Sequence, residues 1–293
     1  MLILALAKPA LSHPPANLAI EPTELHLDWF YLNIYPLLDR WQGIVVWGLV
    51  GTVTLFFAAL PWLPPKRREP VATVVLERCN GCGRCFEDCP YSAIVMQPRS
   101  DQRRHALEPV VDAALCASCG ICAGACPSST PFRRIEQLTT GIDMPQFPID
   151  RLRTESRTAA QALRGEARVL VYGCAYGADV TQLRTPGVAA LSLPCIGLLP
   201  PSFVEYLLQN QPLDGVMVTG CGSGDCEFRL GNRWMEQRLQ GQREPHLRAR
   251  VNRERVRIYW ASAQDQSALA NELEAFRADL RMAVHHEQDS GAP

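Results

Sequence analysis

Lysine is nearly absent from this 293-residue chain: Lys8 and Lys66 are the only two, and arginine supplies the rest of its 29 basic side chains. Thirty acidic residues leave a formal net charge of −1, so the chain lacks the electrostatic footprint of a nucleic-acid binder. The start, Met1–Ala7, has neither the basic flank nor the longer apolar core of a secretory signal, and it reads as an irregular or short helical lead-in before Pro9, Pro14, Pro15 and Pro22. Residues 41–65 contain no charged side chain at all. The glycine run Gly220-x-Gly222-x-Gly224 lacks the spacing of a dinucleotide loop and is not followed by Lys-Ser/Thr, so it assigns no nucleotide site.

What the chain does have is cysteine, twelve in all. A secreted protein would use them for six disulfides, and a protein of a reducing compartment would use them as metal ligands. Spacing decides in favour of metal. Eight fall into two runs, Cys79-x2-Cys82-x2-Cys85-x3-Cys89-Pro90 and Cys116-x2-Cys119-x2-Cys122-x3-Cys126-Pro127. A two-residue gap lets a tight loop turn three thiolates toward one centre, and Gly81, Gly83 and Gly120 ease the sterics of such loops. The fourth Cys is expected to open a short helix that aims its thiolate at the opposite site. Structural zinc, the basis of an alternative reading as a zinc-stabilised docking scaffold, uses pairs of CxxC rather than two such octets.

The remaining Cys174, Cys195, Cys221 and Cys226 are scattered, but three of them follow β-branched runs directly. From residue 166 onward, short runs at 168–172, 188–193, 215–219 and 256–260 alternate with helical stretches at 201–209, 228–240 and 266–284. This predicts an α/β domain with a parallel sheet. Ligands collect at the carboxyl edge of such a sheet, so these four Cys are expected to converge there as one more metal centre.

The apolar run 43–63 is long enough, at ~1.5 Å per residue, to cross a ~30 Å hydrocarbon core as one transmembrane helix. Lys66, Arg67 and Arg68 follow it, against only Asp39 and Arg40 before it. The positive-inside rule then places the N-terminus outside and the remainder in the cytoplasm of a single-pass inner-membrane protein. Trp29, Phe30, Tyr31, Tyr35 and Trp41 suit an interfacial aromatic belt.

Three family resemblances sit on these residues. Residues 70–135 resemble the two-cluster bacterial ferredoxin domain, an α+β fold in which each fourth Cys ligates the other cluster. The resemblance implies two [4Fe–4S] clusters, one held by Cys79, Cys82, Cys85 and Cys126, the other by Cys116, Cys119, Cys122 and Cys89. Residues 166–285, through 173–179 (GCAYGAD), Cys195 and 220–232 (GCGSGDCEFRLGN), resemble the delta subunit of methyl-viologen-reducing hydrogenase, domains of which also occur fused to heterodisulfide-reductase subunits. This implies a [2Fe–2S] cluster on Cys174, Cys195, Cys221 and Cys226, exchanging electrons with a flavoprotein, hydrogenase or heterodisulfide-reductase-like partner. Here Ala175 and Tyr176 follow Cys174, where the family has a Cys pair.

Residues 14–63 resemble the C-terminal part of cytochrome b, or subunit IV of related complexes, with Leu27-Asp28-Trp29-Phe30 in place of a Pro-Glu-Trp-Tyr motif. The resemblance implies a cytochrome b-type membrane partner, a quinone pool, and Asp28 as the match to a quinol proton acceptor. A carboxylate in an apolar, aromatic pocket would have the raised pKa that role needs. The alternative is a solvated Asp28 on an interfacial helix. The single span has no haem-binding His pair, and His13, His26, His105, His246, His285 and His286 read as surface residues.

The expected organisation is therefore multidomain. Residues 1–65 form an outward segment and the span, 66–140 the two-cluster domain, 141–165 a polar linker, 166–285 the parallel-sheet domain, and 286–293 a tail. The expected function is a membrane-anchored iron–sulfur electron-transfer subunit, non-catalytic in itself, with completion of a quinol-oxidising site through Asp28 as the enzymatic alternative.

Overall fold

The structure is a computed structural model that describes residues 37, 40–62, 70–101 and 105–290, with side chains to residue 283. It divides into two units, residues 1–67 and 68–293. Asp28 and the aromatic residues 29–35 lie outside the described residues.

In the first unit, helix α1 (Gly43–Ala59) continues through a tight turn at Leu60–Trp62. The 20 residues Gly43–Trp62 have a mean hydropathy of 2.1 and are 6% buried. By length and composition α1 is the one described helix able to cross a membrane. Its apolar residues run all round the axis, with Trp47, Leu55, Phe56 and Phe57 exposed, so burial in this chain does not account for them. The hydroxyls of Thr52 and Thr54 donate to the carbonyls of Gly48 and Val50 at 2.8 Å, which satisfies both without water.

The second unit begins with the Cys runs. Strand β1 (Thr73–Val74) precedes the short helix α2 (Arg84–Glu87), and β2 (Ile94–Pro98) pairs antiparallel with β3 (Leu107–Val111). Helix α3 (Ile121–Ala125) follows, and β4 (Ile142–Asp143) returns to pair antiparallel with β1.

Two expectations change here. The fourth Cys of each run closes its helix rather than opening it. Cys85 and Cys122 lie within α2 and α3, Cys126 caps the end of α3, and Cys89 follows the end of α2. The left-handed glycine before each helix, Gly83 (φ +78°) and Gly120 (φ +80°), starts the helical turn earlier than the spacing alone suggests. Residues 141–165 are also no free linker. They form β4 and helix α4 (Ile149–Ala162), whose Ile149, Leu152, Arg153, Ser156 and Ala160 are buried at helical spacing. The Arg-, Thr- and Ser-rich composition hid this narrow apolar stripe. Asp143 Oδ1 accepts the Ile149 N–H at 3.1 Å and fixes the entry to α4.

The parallel sheet runs in the order β6 (Val188–Leu193), β5 (Val169–Cys174), β7 (Gly215–Gly220), β8 (Val256–Trp260). Both central strands are buried throughout, as parallel strands covered on two faces must be. Alternate residues serve opposite faces. Leu170, Tyr172, Val216 and Val218 join the core shared with α4 and with α5 (Pro201–Asn210). Val169, Val171 and Met217 instead meet Leu269, Leu273, Phe276 and Leu280 of α7 (Gln266–Ser290).

The two-cluster part and the sheet share one core, in which Cys85, Cys122 and Ile142 pack together with Leu198, Phe203 and Cys221. They approach so closely at α3 that a Cβ on Gly124 would lie 2.1 Å from the Gly197 carbonyl oxygen.

Candidate iron–sulfur centres

The two Cys runs build two cavities. The first is lined by Cys79, Cys82, Cys85 and Cys126. The second is lined by Cys89, Cys116, Cys119 and Cys122. Each therefore takes three thiols from one run and the fourth from the other, because the chain reverses after each short helix. Local geometry repeats as well. Gly81 and its counterpart Ser118 both adopt positive φ (65° and 57°), so a non-glycine residue holds the left-handed position in the second loop. A Cβ on Gly81 would lie 2.4 Å from the Leu107 carbonyl oxygen, a close approach that explains glycine in the first.

Donors already point at the sulfurs. Gly81 N–H donates to Cys79 Sγ at 3.4 Å, Ala93 N–H to Cys89 Sγ at 3.2 Å, and Ser128 Oγ lies 2.9 Å from Cys126 Sγ. Burial pushes the Cys85 thiol up to about 12, with Cys126 the next contributor. It pushes Cys119 up to about 11 and Cys122 well above the ordinary thiol value, Cys122 also feeling Cys119 and then Cys85. Gathered in an apolar site these thiols hold their protons, and cations must displace the protons for thiolates to form. Structural zinc takes its four ligands from pairs of CxxC, whereas each of these sites draws three thiols from one run and the fourth from the other, the swapped pattern of two-cluster iron–sulfur domains.

The remaining four Cys do converge at the carboxyl edge of the sheet. Cys174 ends β5, Cys195 follows β6 and Cys221 follows β7, while Cys226 comes from the loop before α6 (Gly231–Gln240). Cys174 Sγ lies 3.7 Å from Cys221 Sγ, and this shared hydrogen bond lowers the Cys174 thiol. A Cβ on Gly231 would sit 2.4 Å from Cys195 Sγ and 3.5 Å from Cys226 Sγ, so only glycine leaves room for both sulfurs. Its neighbour Asn232 donates from Nδ2 to the Cys221 carbonyl at 2.6 Å and holds the loop that carries Cys221. The Gly-Asn pair was visible in the sequence, but its spatial task was not.

The third thiol group lies against the second cavity. Cys119, Ile121, Cys195 and Trp234 form one buried cluster. Sequence reasoning missed what holds this junction together. Arg238 of α6, fully buried, donates from Nη1 to the Gly197 carbonyl at 2.9 Å, from Nη2 to Asp88 Oδ2, and from Nη2 at 3.5 Å to the Ile121 carbonyl. Asp88 Oδ1 also accepts from Arg243 Nε at 2.9 Å. Asp88 precedes Cys89, Ile121 lies between Cys119 and Cys122, and Gly197 lies two residues after Cys195. No periodicity marks these residues, and only the fold brings them together.

Two swapped sets of four thiols, with four further Cys beside them in the same unit, define the class: this is an iron–sulfur electron-transfer subunit. Residues 78–130 match the 4Fe-4S dicluster domain, and residues 169–283 match the delta subunit of methyl-viologen-reducing hydrogenase. The chain is 32% identical over 96 residues to an iron-sulfur subunit of the F420-non-reducing hydrogenase of Archaeoglobus profundus, covering 33% of this chain and 69% of that protein. It is 30% identical over 95 residues to an iron-sulfur subunit of the F420-non-reducing hydrogenase vhc of Methanococcus voltae, covering 32% of this chain and 65% of the relative. Over 110 residues, 37% of this chain, it is 26% identical to 14% of a protein of the ferredoxin/F420H2-dependent CoB-CoM heterodisulfide reductase from Methanosarcina acetivorans. The chain belongs to the methyl-viologen-reducing hydrogenase delta-subunit family.

Proposed function

We propose that the chain is a wire of three clusters between a membrane quinone system and a soluble redox enzyme. One [4Fe–4S] cluster would be held by Cys79, Cys82, Cys85 and Cys126, a second by Cys89, Cys116, Cys119 and Cys122, and a [2Fe–2S] cluster by Cys174, Cys195, Cys221 and Cys226. When bound, these clusters supply one-electron chemistry. The observation that carries the reading is the series arrangement: the second cavity adjoins Cys85 on one side and Cys195 on the other. Exposure supports an entry at the first cavity, where Cys82 is exposed, whereas Cys119 and Cys122 of the second cavity and Cys174, Cys195 and Cys221 of the third group are buried.

The chain's own residues supply the setting. The N–H and O–H donors to Cys79, Cys89 and Cys126 would stabilise the more negative, reduced state. Ile121, Trp234 and Leu198 keep water from the junction. The soluble partner is proposed as a hydrogenase, a flavoprotein or a heterodisulfide-reductase-like protein, in keeping with the relatives' names.

The apolar α1 supports a single membrane anchor with the N-terminus outside and the thiol-bearing unit cytoplasmic, beside a cytochrome b-type protein. Anaerobic purification tests the whole reading. The protein should partition with membranes and contain about ten irons per chain with matching acid-labile sulfide. About eight irons would remove the [2Fe–2S] cluster, and zinc in place of iron would end the proposal.

The quinol-site reading through Asp28 has its own test. Asp28→Asn should abolish quinol turnover in the native complex while leaving iron content unchanged. Unaltered turnover would reduce residues 14–63 to an anchor.

A further inference from the structure

We propose that Arg238 is a positioning and tuning residue that sets the redox balance between the second cavity and the third thiol group. This inference rests on the three-cluster reading and adds to it an assignment of which buried charge governs which centres.

Arg238 is fully buried, and its guanidinium touches one backbone or side-chain group from each loop that bears the facing thiols. Those groups are the Asp88 carboxylate beside Cys89, the Ile121 carbonyl between Cys119 and Cys122, and the Gly197 carbonyl beyond Cys195. A planar fork of donors is suited to this three-way connection, and lysine's single ammonium group is not. Arg238 Nε finds no hydrogen-bond partner among the described residues, so part of this buried cation is left uncompensated.

The charge balance points the same way. Arg238 and Arg243 share one carboxylate, Asp88, which is 3% exposed. Arg243 also lies over the Trp234 ring, 4.3 Å from its centroid, and Trp234 belongs to the cluster containing Cys119 and Cys195. Two guanidinium groups against one carboxylate leave about one positive charge at the junction. Inside a protein that charge favours whichever neighbouring centre has taken up an electron, because the reduced state is the more negative one. Arg238 thus does two things for the relay: it holds the facing loops in register, and it draws electrons toward the junction.

The test is a redox titration of the intact, cluster-loaded chain, followed by electron paramagnetic resonance. The cluster of the first cavity, whose lining includes neither Asp88 nor Ile121 whereas Asp88 lines the second, serves as the internal reference. Arg238→Gln and the milder Arg243→Gln should each make the two junction centres harder to reduce. For Arg238→Gln the reduced-to-oxidised ratio at a fixed potential should fall about tenfold, or ~59 mV for a one-electron couple. Asp88→Asn should shift the same two centres in the opposite sense, and Arg238→Lys, which keeps the charge, should shift them least. A purely structural role predicts no such reversal of sign.

Unchanged potentials in Arg243→Gln and Asp88→Asn, or equal shifts of all three centres, would overturn the inference and leave the relay intact. If Arg238→Gln loses its clusters, the opposed shifts of Arg243→Gln and Asp88→Asn decide the matter alone. Wild-type protein without iron would instead mark failure of the underlying three-cluster reading.

Discussion

Cys122→Ser should remove one [4Fe–4S] signal and about four irons per chain, and should disconnect the ends of the relay. Cys122 is 8% exposed in the second cavity, close enough to feel Cys119 and Cys116 of its own set and Cys85 of the first. A serine hydroxyl is a far poorer iron ligand than thiolate, and the site has no spare cysteine. The expected result has two parts. Iron falls by about four while the other two signals persist, and a donor acting at the first cavity no longer reduces the third group. Persistence of fast reduction would mean that electrons bypass the second cavity, and the series arrangement would be wrong. Cys82→Ser, at the exposed end, provides the comparison. It should cost the first cluster and leave the junction unaltered.

Asp88→Ala should be strongly destabilising, costing about 3–5 kcal/mol. The residue is 3% exposed, and its partner Arg238 is 0% exposed. Removing the carboxylate strands a guanidinium where water cannot reach it, and that penalty is larger than the net worth of an intact buried pair. The contact also joins residues 150 positions apart, so its loss loosens the junction between the two-cluster part and the sheet. Denaturant unfolding of the cluster-loaded protein measures the effect. The double replacement Asp88→Leu/Arg238→Met should recover most of the lost stability, since apolar groups of similar volume often substitute for a buried pair. A loss below about 1 kcal/mol for Asp88→Ala would show that the pair is solvated in the native protein.

Opposed to these buried contacts, the surface pairs carry little. Arg151–Glu155, spaced four residues apart on α4, and Arg257–Asp279 are exposed on at least one side. Pairs of this kind contribute about 0–1 kcal/mol and are screened by salt. The stability of the second unit rests on its shared apolar core and on the Asp88–Arg238 contact within it.

How far the sequence could be read depended on whether the signal was local. The spacing of the Cys runs is local chemistry, and the two cavities contain the expected sets of four. The four parallel strands were legible because β-branched runs and turns alternate over short distances, and each lies within two residues of its expected bounds. Two local readings failed. The left-handed glycines start α2 and α3 before the third Cys of each run, so the fourth Cys stands at the helix end. The polar composition of residues 149–162 masked a stripe of five buried positions, and α4 passed for a linker.

Which thiols are proposed to hold iron was already written in the order of residues: Cys at fixed short spacings, with glycines where loops must turn, are a local code that needs no knowledge of the fold. Which centre faces which was settled only by packing, because Asp88, Ile121, Gly197 and Arg238 are brought together across separations of up to 150 residues. Such contacts leave no periodic trace in the chain. They arise where a buried guanidinium must find carboxylate and carbonyl partners, and only the closed core dictates which ones are within reach.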